Sequence, residues 1–289
     1  MKVFLFQAIL ALGRVLSLSA GRRFASVFGW LFWLLSKKNK KITLTNIRKC
    51  FPEKSESHQK QLAKACINAT LMNFMELGRI WDKNKSVDDL VDNIYGVEEF
   101  QSALKQGKGL LLAAPHFGNW EVVNLVLARF EKFAFLYKAP DDEKIEQLLI
   151  ESRGKSEAVQ IEASPKGVKK ILLHLKDQGF IAILPDQRPK SGQGIFVPFY
   201  NIPTYTMTLF PKLAVKTQVP VFFVYALRKA KGFDVYFEKS SDEIYSDVER
   251  SATYMNAHIQ KIVDKAPEQY QWTYKRFSIQ PENEPPFYQ

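Results

Sequence analysis

The spacing of apolar residues changes several times along this chain, and each change predicts an element. Unbroken five-residue apolar runs at 110–114, 133–137 and 180–184 have the length of buried strands. Residues 159–161 and 219–226 read as further strands, and 232–238 alternates between two faces. A helical period appears over 57–81, where Leu62, Ala65, Cys66, Ala69 and Met72 share a stripe. From residue 120 an apolar helix follows the first strand, and a charged helical stretch reaches Arg153. Ser164 and Pro165 open another helix as N-cap and first residue; Val168, Ile171, Leu172 and Leu175 form its apolar face, and Gly179 lies beyond its end. Residues 86–107 are polar and read as a connection. Strands alternating with helices predict an α/β fold, a mixed and mostly parallel sheet flanked by helices.

The N-terminus follows a different pattern. Apolar runs at 3–13 and 24–35 are separated by Arg14, Arg22 and Arg23, and neither reaches the ~20 residues of a clean bilayer span. Residues 3–21 would span with Arg14 towards one end, leaving 24–35, with Trp30 and Trp33, at the interface. A secretory signal peptide is the rival reading; Arg14 within the run and the second apolar stretch stand against it. Cys50 and Cys66 do not suggest a disulfide framework. The expectation is a membrane-anchoring helix in 1–36, with 37–289 a helical part merging into a single α/β domain.

Charge sharpens this reading. The formal net charge is +11, and residues 1–50 hold ten Lys/Arg and no Asp/Glu. The rest of the chain is nearly balanced, 31 basic residues against 30 acidic. A nucleic-acid binder carries its basic face on the folded domain, so nucleic acid is not an expected partner. Lys37, Lys38, Lys40 and Lys41 follow the apolar runs at once, which favours the cytoplasmic side of a membrane.

The candidate chemistry lies where the first strand ends, in Pro115-His116-Phe117-Gly118-Asn119-Trp120-Glu121. Residues five apart on a regular helix point about 140° away from each other, so His116 and Glu121 need a turn between them to meet. Gly118 and Asn119 are residue types that allow one. Glu121 would then hold one imidazole nitrogen and leave the other to take a proton. This is a Ser-His-Asp triad without its nucleophile, so the nucleophile belongs to the substrate, most simply an alcohol. The second strand-end group is Asp186-Gln187-Arg188, where Arg188 is either a phosphate-gripping fork or part of a solvated turn. The chain has no G-x-S-x-G elbow, P-loop, G-x-G-x-x-G after a strand or H-E-x-x-H site, and His58, His116, His174 and His258 are too scattered for a local metal cluster.

His116-x4-Glu121 within PHFGNWE resembles the lipid A biosynthesis acyltransferases, a branch of the H-x4-D/E glycerolipid acyltransferases. The likeness extends to Asn46-Ile47, Cys50-Phe51-Pro52-Glu53, Leu184-Pro185-Asp186-Gln187, and Gln271-Trp272 with Arg276-Phe277. The resemblance implies transfer of a fatty acyl group from acyl carrier protein to a hydroxyl of a hydroxyacyl chain on the lipid A precursor. His116 and Glu121 would be catalytic. Gly118, Asn119, Arg153, Asp186, Gln187 and Arg188 would contact substrate. Lys138 stands where the family often has Arg, a departure that weakens bidentate binding there. Neither metal nor organic cofactor is expected. The expected location is the bacterial inner membrane with the catalytic domain on the cytoplasmic side, where basic residues 37–49 would steer the acidic carrier protein. Acylation of a glycerophospholipid or another envelope glycolipid is the alternative enzyme, and a non-catalytic membrane-binding protein is the alternative class.

Overall fold

In a computed structural model of the chain, which describes residues 2–137, 146 and 158–288, the apolar N-terminus forms two helices. These are α1 (Lys2–Val15) and α2 (Leu18–Leu35). The break follows from Ser17, whose hydroxyl accepts from the Ala20 amide and caps a new helix. The uninterrupted 3–21 segment expected from the apolar pattern is therefore absent, and no helix among the described residues is long and apolar enough to cross a membrane. Both helices pack on α4 (Glu56–Ile80), which follows the basic α3 (Lys37–Cys50). At the α1–α4 crossing the backbones touch: a Cβ on Gly13 would lie 2.2 Å from the Met75 carbonyl oxygen. Gly21, Arg22, Ala25, Gly29 and Trp33 form the buried face of α2. Phe24, Val27, Phe28, Leu31, Leu34 and Leu35, at three- and four-residue spacing, form its exposed face.

The rest of the chain builds the sheet: β1 (Val91–Tyr95), α5 (Val97–Lys105), β2 (Leu110–Ala113), α6 (Trp120–Leu127), β3 (Phe133–Tyr137), β4 (Val159–Glu162), α7 (Pro165–Lys176) and β5 (Phe180–Ile183). The hairpin β6 (Gly194–Phe199) and β7 (Ile202–Met207) stands apart as its own antiparallel pair. Then come α8 (Leu209–Thr217), β8 (Val221–Arg228), β9 (Phe233–Lys239) and α9 (Val248–Lys265). The seven-stranded sheet has the order β1-β9-β8-β2-β5-β3-β4, and β8–β9 is its antiparallel pair. The mixed, mostly parallel expectation holds. Ser164 caps α7 as predicted, accepting from the Gly167 amide at 3.1 Å.

β2 and β5 occupy the middle of the sheet, with every residue buried. Leu111 and Ala113 face a core shared with Ile171 of α7, Ala214 of α8 and Met255 and Ile259 of α9. Leu110 and Leu112 face the opposite core, with Phe100 of α5 and Val122 and Val126 of α6. A strand covered on both sides reads as a continuous apolar run, which is why these two were visible without alternation. Their carboxyl ends open at the same edge, and the candidate site is built there.

Candidate active site

The register of the central strands places the chemistry. β2 and β5 run parallel with Ala113 opposite Ile183. Each chain continues three residues further, one to His116 and the other to Asp186. Asp186 Oδ1 lies 2.8 Å from His116 Nδ1, and Asp186 Oδ2 accepts from the His116 backbone N–H at 2.9 Å. One carboxylate thus fixes both the ring and the main chain of the histidine. With the ring proton on Nδ1, Nε2 presents its lone pair. The Gln187 side-chain amide donates to Nε2 at 3.1 Å and also to Gln271 Oε1 at 2.9 Å. Any group that takes the Nε2 lone pair has to displace that amide from the ring, and Gln187 keeps Gln271 as a partner when it does. The Trp120 ring stands edge-on beside the imidazole, 5.0 Å between centroids.

Asp186 is a buried anion with defined support. Burial pushes its carboxyl up, but the facing imidazole, the two hydrogen bonds from His116 and the nearby Arg276 charge outweigh burial and hold it below the ordinary value. The Tyr270 phenol is pushed far up by burial and then by Asp186, so it remains a neutral donor towards that carboxylate. Arg276 is buried over the Phe199 ring, and its Nη2 reaches Thr206 and Asn256. Its Nε and Nη1 have no hydrogen-bond partner among the described residues. A guanidinium held this way draws its electrostatic compensation from Asp186.

The turn carrying His116 is clamped from two sides. Gly118 lies at φ 56° and its Cβ would sit 1.7 Å from the Ala226 carbonyl oxygen, so the chain can run against β8 only without a side chain. The Gly118 amide donates to Gln269, and the Gln271 amide donates to the His116 carbonyl. The segment 269–271 is therefore part of the site. The Gln271 and Arg276 motifs were visible in the sequence, but their roles were not.

The site geometry pairs the His116 ring with residues other than Glu121. Both imidazole nitrogens of His116 are engaged, Nδ1 by Asp186 and Nε2 by Gln187. Glu121 sits buried in the first turn of α6, where its Oε2 accepts from the Trp81 indole at 3.2 Å and its amide is capped by Asn119 Oδ1. The physical reason is direction: the helix starts at Trp120 and carries the Glu121 side chain towards α4, whereas Asp186 arrives in register from the neighbouring strand. Gly118 and Asn119 shape the turn, Asn119 by donating to Glu76 Oε2 and to the Asn73 carbonyl. Gln187 and Asp186 join His116 as the common strand edge predicts. Arg188 is exposed beside them, and Arg153 and Lys138 lie outside the described residues.

Residues 1–278 match the family described as bacterial lipid A biosynthesis acyltransferase. The chain is similar to the lipid A biosynthesis lauroyltransferase of Escherichia coli (strain K12), 24% identical over 256 residues that cover 87% of this chain and 83% of the relative. It is similar to the palmitoleoyltransferase of lipid A biosynthesis from the same organism, 23% identical with the same coverage of 87% and 83%. A lipid A biosynthesis acyltransferase of Haemophilus influenzae is 25% identical over 243 residues, 82% of this chain and 75% of the relative. On the match across nearly its whole length, the chain belongs to the bacterial lipid A biosynthesis acyltransferase family.

Proposed function

We propose that this protein is a late acyltransferase of lipid A assembly, moving a fatty acyl group from the thioester of acyl carrier protein to a hydroxyl of a hydroxyacyl chain on the lipid A precursor. His116 Nε2 accepts the hydroxyl proton as the oxygen attacks the thioester carbonyl. The tetrahedral intermediate collapses with cleavage of the C–S bond, and the imidazolium returns its proton to the departing thiolate. The new ester stays on the lipid and the carrier leaves as a free thiol. Asp186 orients the imidazole and stabilises its charged form. Glu121 acts indirectly, holding the start of α6 and Trp81 in place around the turn.

The observation that carries this reading is the 2.8 Å contact between Asp186 Oδ1 and His116 Nδ1, at a strand edge where no serine, threonine or cysteine side chain is among the ring's hydrogen-bond partners in the described residues. The acceptor supplies the nucleophile. The exposed apolar face of α2 and the exposed lysines of α3 support docking on an anionic leaflet at the cytoplasmic face of the inner membrane, with α2 lying in the interface. The same lysines, Lys37, Lys38 and Lys41, favour the acidic carrier protein.

Lipid profiling tests the substrate assignment. Deletion of the gene should accumulate lipid A that lacks one secondary acyl chain. Purified protein given lauroyl-acyl carrier protein should raise the mass of that lipid by one acyl group. Unchanged lipid A together with an altered glycerophospholipid would transfer the assignment to the other acceptor class.

A further inference from the structure

A second buried network adjoins the site, centred on Glu76 of α4. Glu76 is buried, and its Oε1 accepts from Arg22 Nε at 2.6 Å and from Arg228 Nε at 2.7 Å. Its Oε2 accepts from Arg228 Nη2 at 2.8 Å and from Asn119 Nδ2 at 3.0 Å. The remaining Arg22 nitrogens donate to the carbonyls of Lys229, Ala230 and Gly232, in the turn between β8 and β9. Arg228 also reaches Asn73 Oδ1. Burial pushes the Glu76 carboxyl up, but Arg228, Arg22 and Asn119 together bring it below its ordinary value, so it stands as a carboxylate facing two guanidinium groups.

This carboxylate joins parts of the molecule with separate tasks. Arg22 lies on the buried face of α2, the helix whose other face is exposed and apolar. Asn119 follows the His116 turn and caps α6. Arg22 bonds one Glu76 oxygen, Asn119 bonds the other, and Arg228 spans both. Several kcal/mol of desolvation stand against burying such charges, so the arrangement persists only while every partner is in place. Losing the Arg22 leg frees the carboxylate to rotate towards Arg228 and relaxes its hold on Asn119.

Resting on the acyl-transfer reading above, we propose that Glu76 is a positioning residue for that reaction, which ties the seating of the lipid-facing helix α2 to the geometry of the His116 turn. It touches no reacting atom. Its effect reaches the chemistry through Asn119, and small misplacements of a base are costly because near-attack geometry tolerates little error.

The test measures kcat and KM in detergent–lipid mixed micelles with lauroyl-acyl carrier protein and purified lipid A precursor, well below the melting temperature of each variant. Glu76→Gln should lower kcat by about tenfold or more while leaving KM for the acyl donor within about twofold. Arg22→Gln should lower kcat in the wild-type background and have no further effect beside Glu76→Gln, because its route to the turn is already cut. Binding to anionic vesicles should remain at the wild-type level in Arg22→Gln. Wild-type kcat in folded Glu76→Gln, or an Arg22→Gln loss of equal size in both backgrounds, would overturn the proposal. Should Glu76→Gln be recovered unfolded, Arg22→Lys, which keeps the charge but not the fork, takes its place; an unchanged kcat there would also overturn it. His116→Ala is run alongside. If it is inactive while Glu76→Gln is normal, the positioning role fails alone; if it is active, the acyl-transfer mechanism fails first.

Discussion

Replacing Asp186 by Asn keeps the size of the side chain and removes its charge. In the wild-type protein Asp186 accepts from both Nδ1 and the main-chain amide of His116, and in the proposed mechanism the ring becomes an imidazolium as it takes the hydroxyl proton. Unit charges about 4 Å apart in an effective dielectric of about 20 attract by about 4 kcal/mol. Each 1.36 kcal/mol is a tenfold change in rate, so loss of that attraction alone costs about 10^3-fold in kcat. An Asn amide can also turn its NH2 to Nδ1 and favour the tautomer with the proton on Nε2, which cannot act as a base; the corresponding change in a serine-protease triad costs about 10^4-fold. The expected loss is therefore between about 10^3-fold and 10^4-fold in kcat, with KM for the acyl donor little changed. Initial rates with saturating acyl-acyl carrier protein measure it, with near-ultraviolet circular dichroism as the fold control, because the substitution also leaves Arg276 without its countercharge. A folded Asp186→Asn protein within tenfold of wild type would refute the orienting role. The same result accompanied by a 10^3-fold loss in Glu121→Gln would return that role to Glu121.

Gly118→Ala places a Cβ against the Ala226 carbonyl at a positive φ and should destabilise the protein by about 3 kcal/mol or more, read as a lowered urea midpoint. An unchanged midpoint would mean that the turn shifts freely. The Asp186 and Glu76 carboxyls are both held below their ordinary values in the folded protein, so their contribution is complete above the unfolded carboxylate pKa of about 4 and is lost as pH falls through the lower folded values. Stability should thus hold steady above pH ~5 and fall in the acid range below pH ~4, with a shallower fall in Glu76→Gln; parallel curves would contradict the linkage. Phe28→Glu and Leu31→Glu, on the exposed face of α2, should each weaken binding to anionic vesicles by about tenfold or more, since burying a large apolar side chain contributes about 1.5–3 kcal/mol. Their melting temperatures should be unaffected, and unaltered vesicle binding would remove α2 from the docking surface.

What the sequence revealed and concealed has physical causes. Residues 133–137 and 180–183 were legible as strands because both faces of each are covered, leaving an unbroken apolar run of strand length. The α7 start was legible because Ser164 and Pro165 satisfy a helix terminus locally. β1 and α5 were hidden in residues 86–107. β1 is an edge strand with no fully buried residue, and α5 buries only Phe100 and Ala103, so neither has the apolar content that announces an element. The β6–β7 hairpin turns at Tyr200 and Asn201, both at positive φ, without the glycine that usually marks such a turn. Within the site, His116 stood out by motif and Asp186 by its place at a strand end. Their pairing depends on β2 and β5 being neighbours in parallel register, a long-range fact that no local pattern encodes. Glu121 stood out because it is near in sequence; in the structure α6 brings its carboxylate to the Trp81 indole.

The central claim is that His116 passes a proton from the lipid hydroxyl while the acyl group moves directly from thioester to acceptor. Its most direct measurement is a single-turnover quench with radiolabelled lauroyl-acyl carrier protein and lipid A precursor, comparing wild type with His116→Ala. The account predicts that label passes from carrier to lipid without appearing on the protein, and that the rate falls by about 10^3-fold or more in folded His116→Ala. Near-wild-type transfer by the folded variant, or label trapped covalently on the wild-type chain before it reaches the lipid, would contradict it.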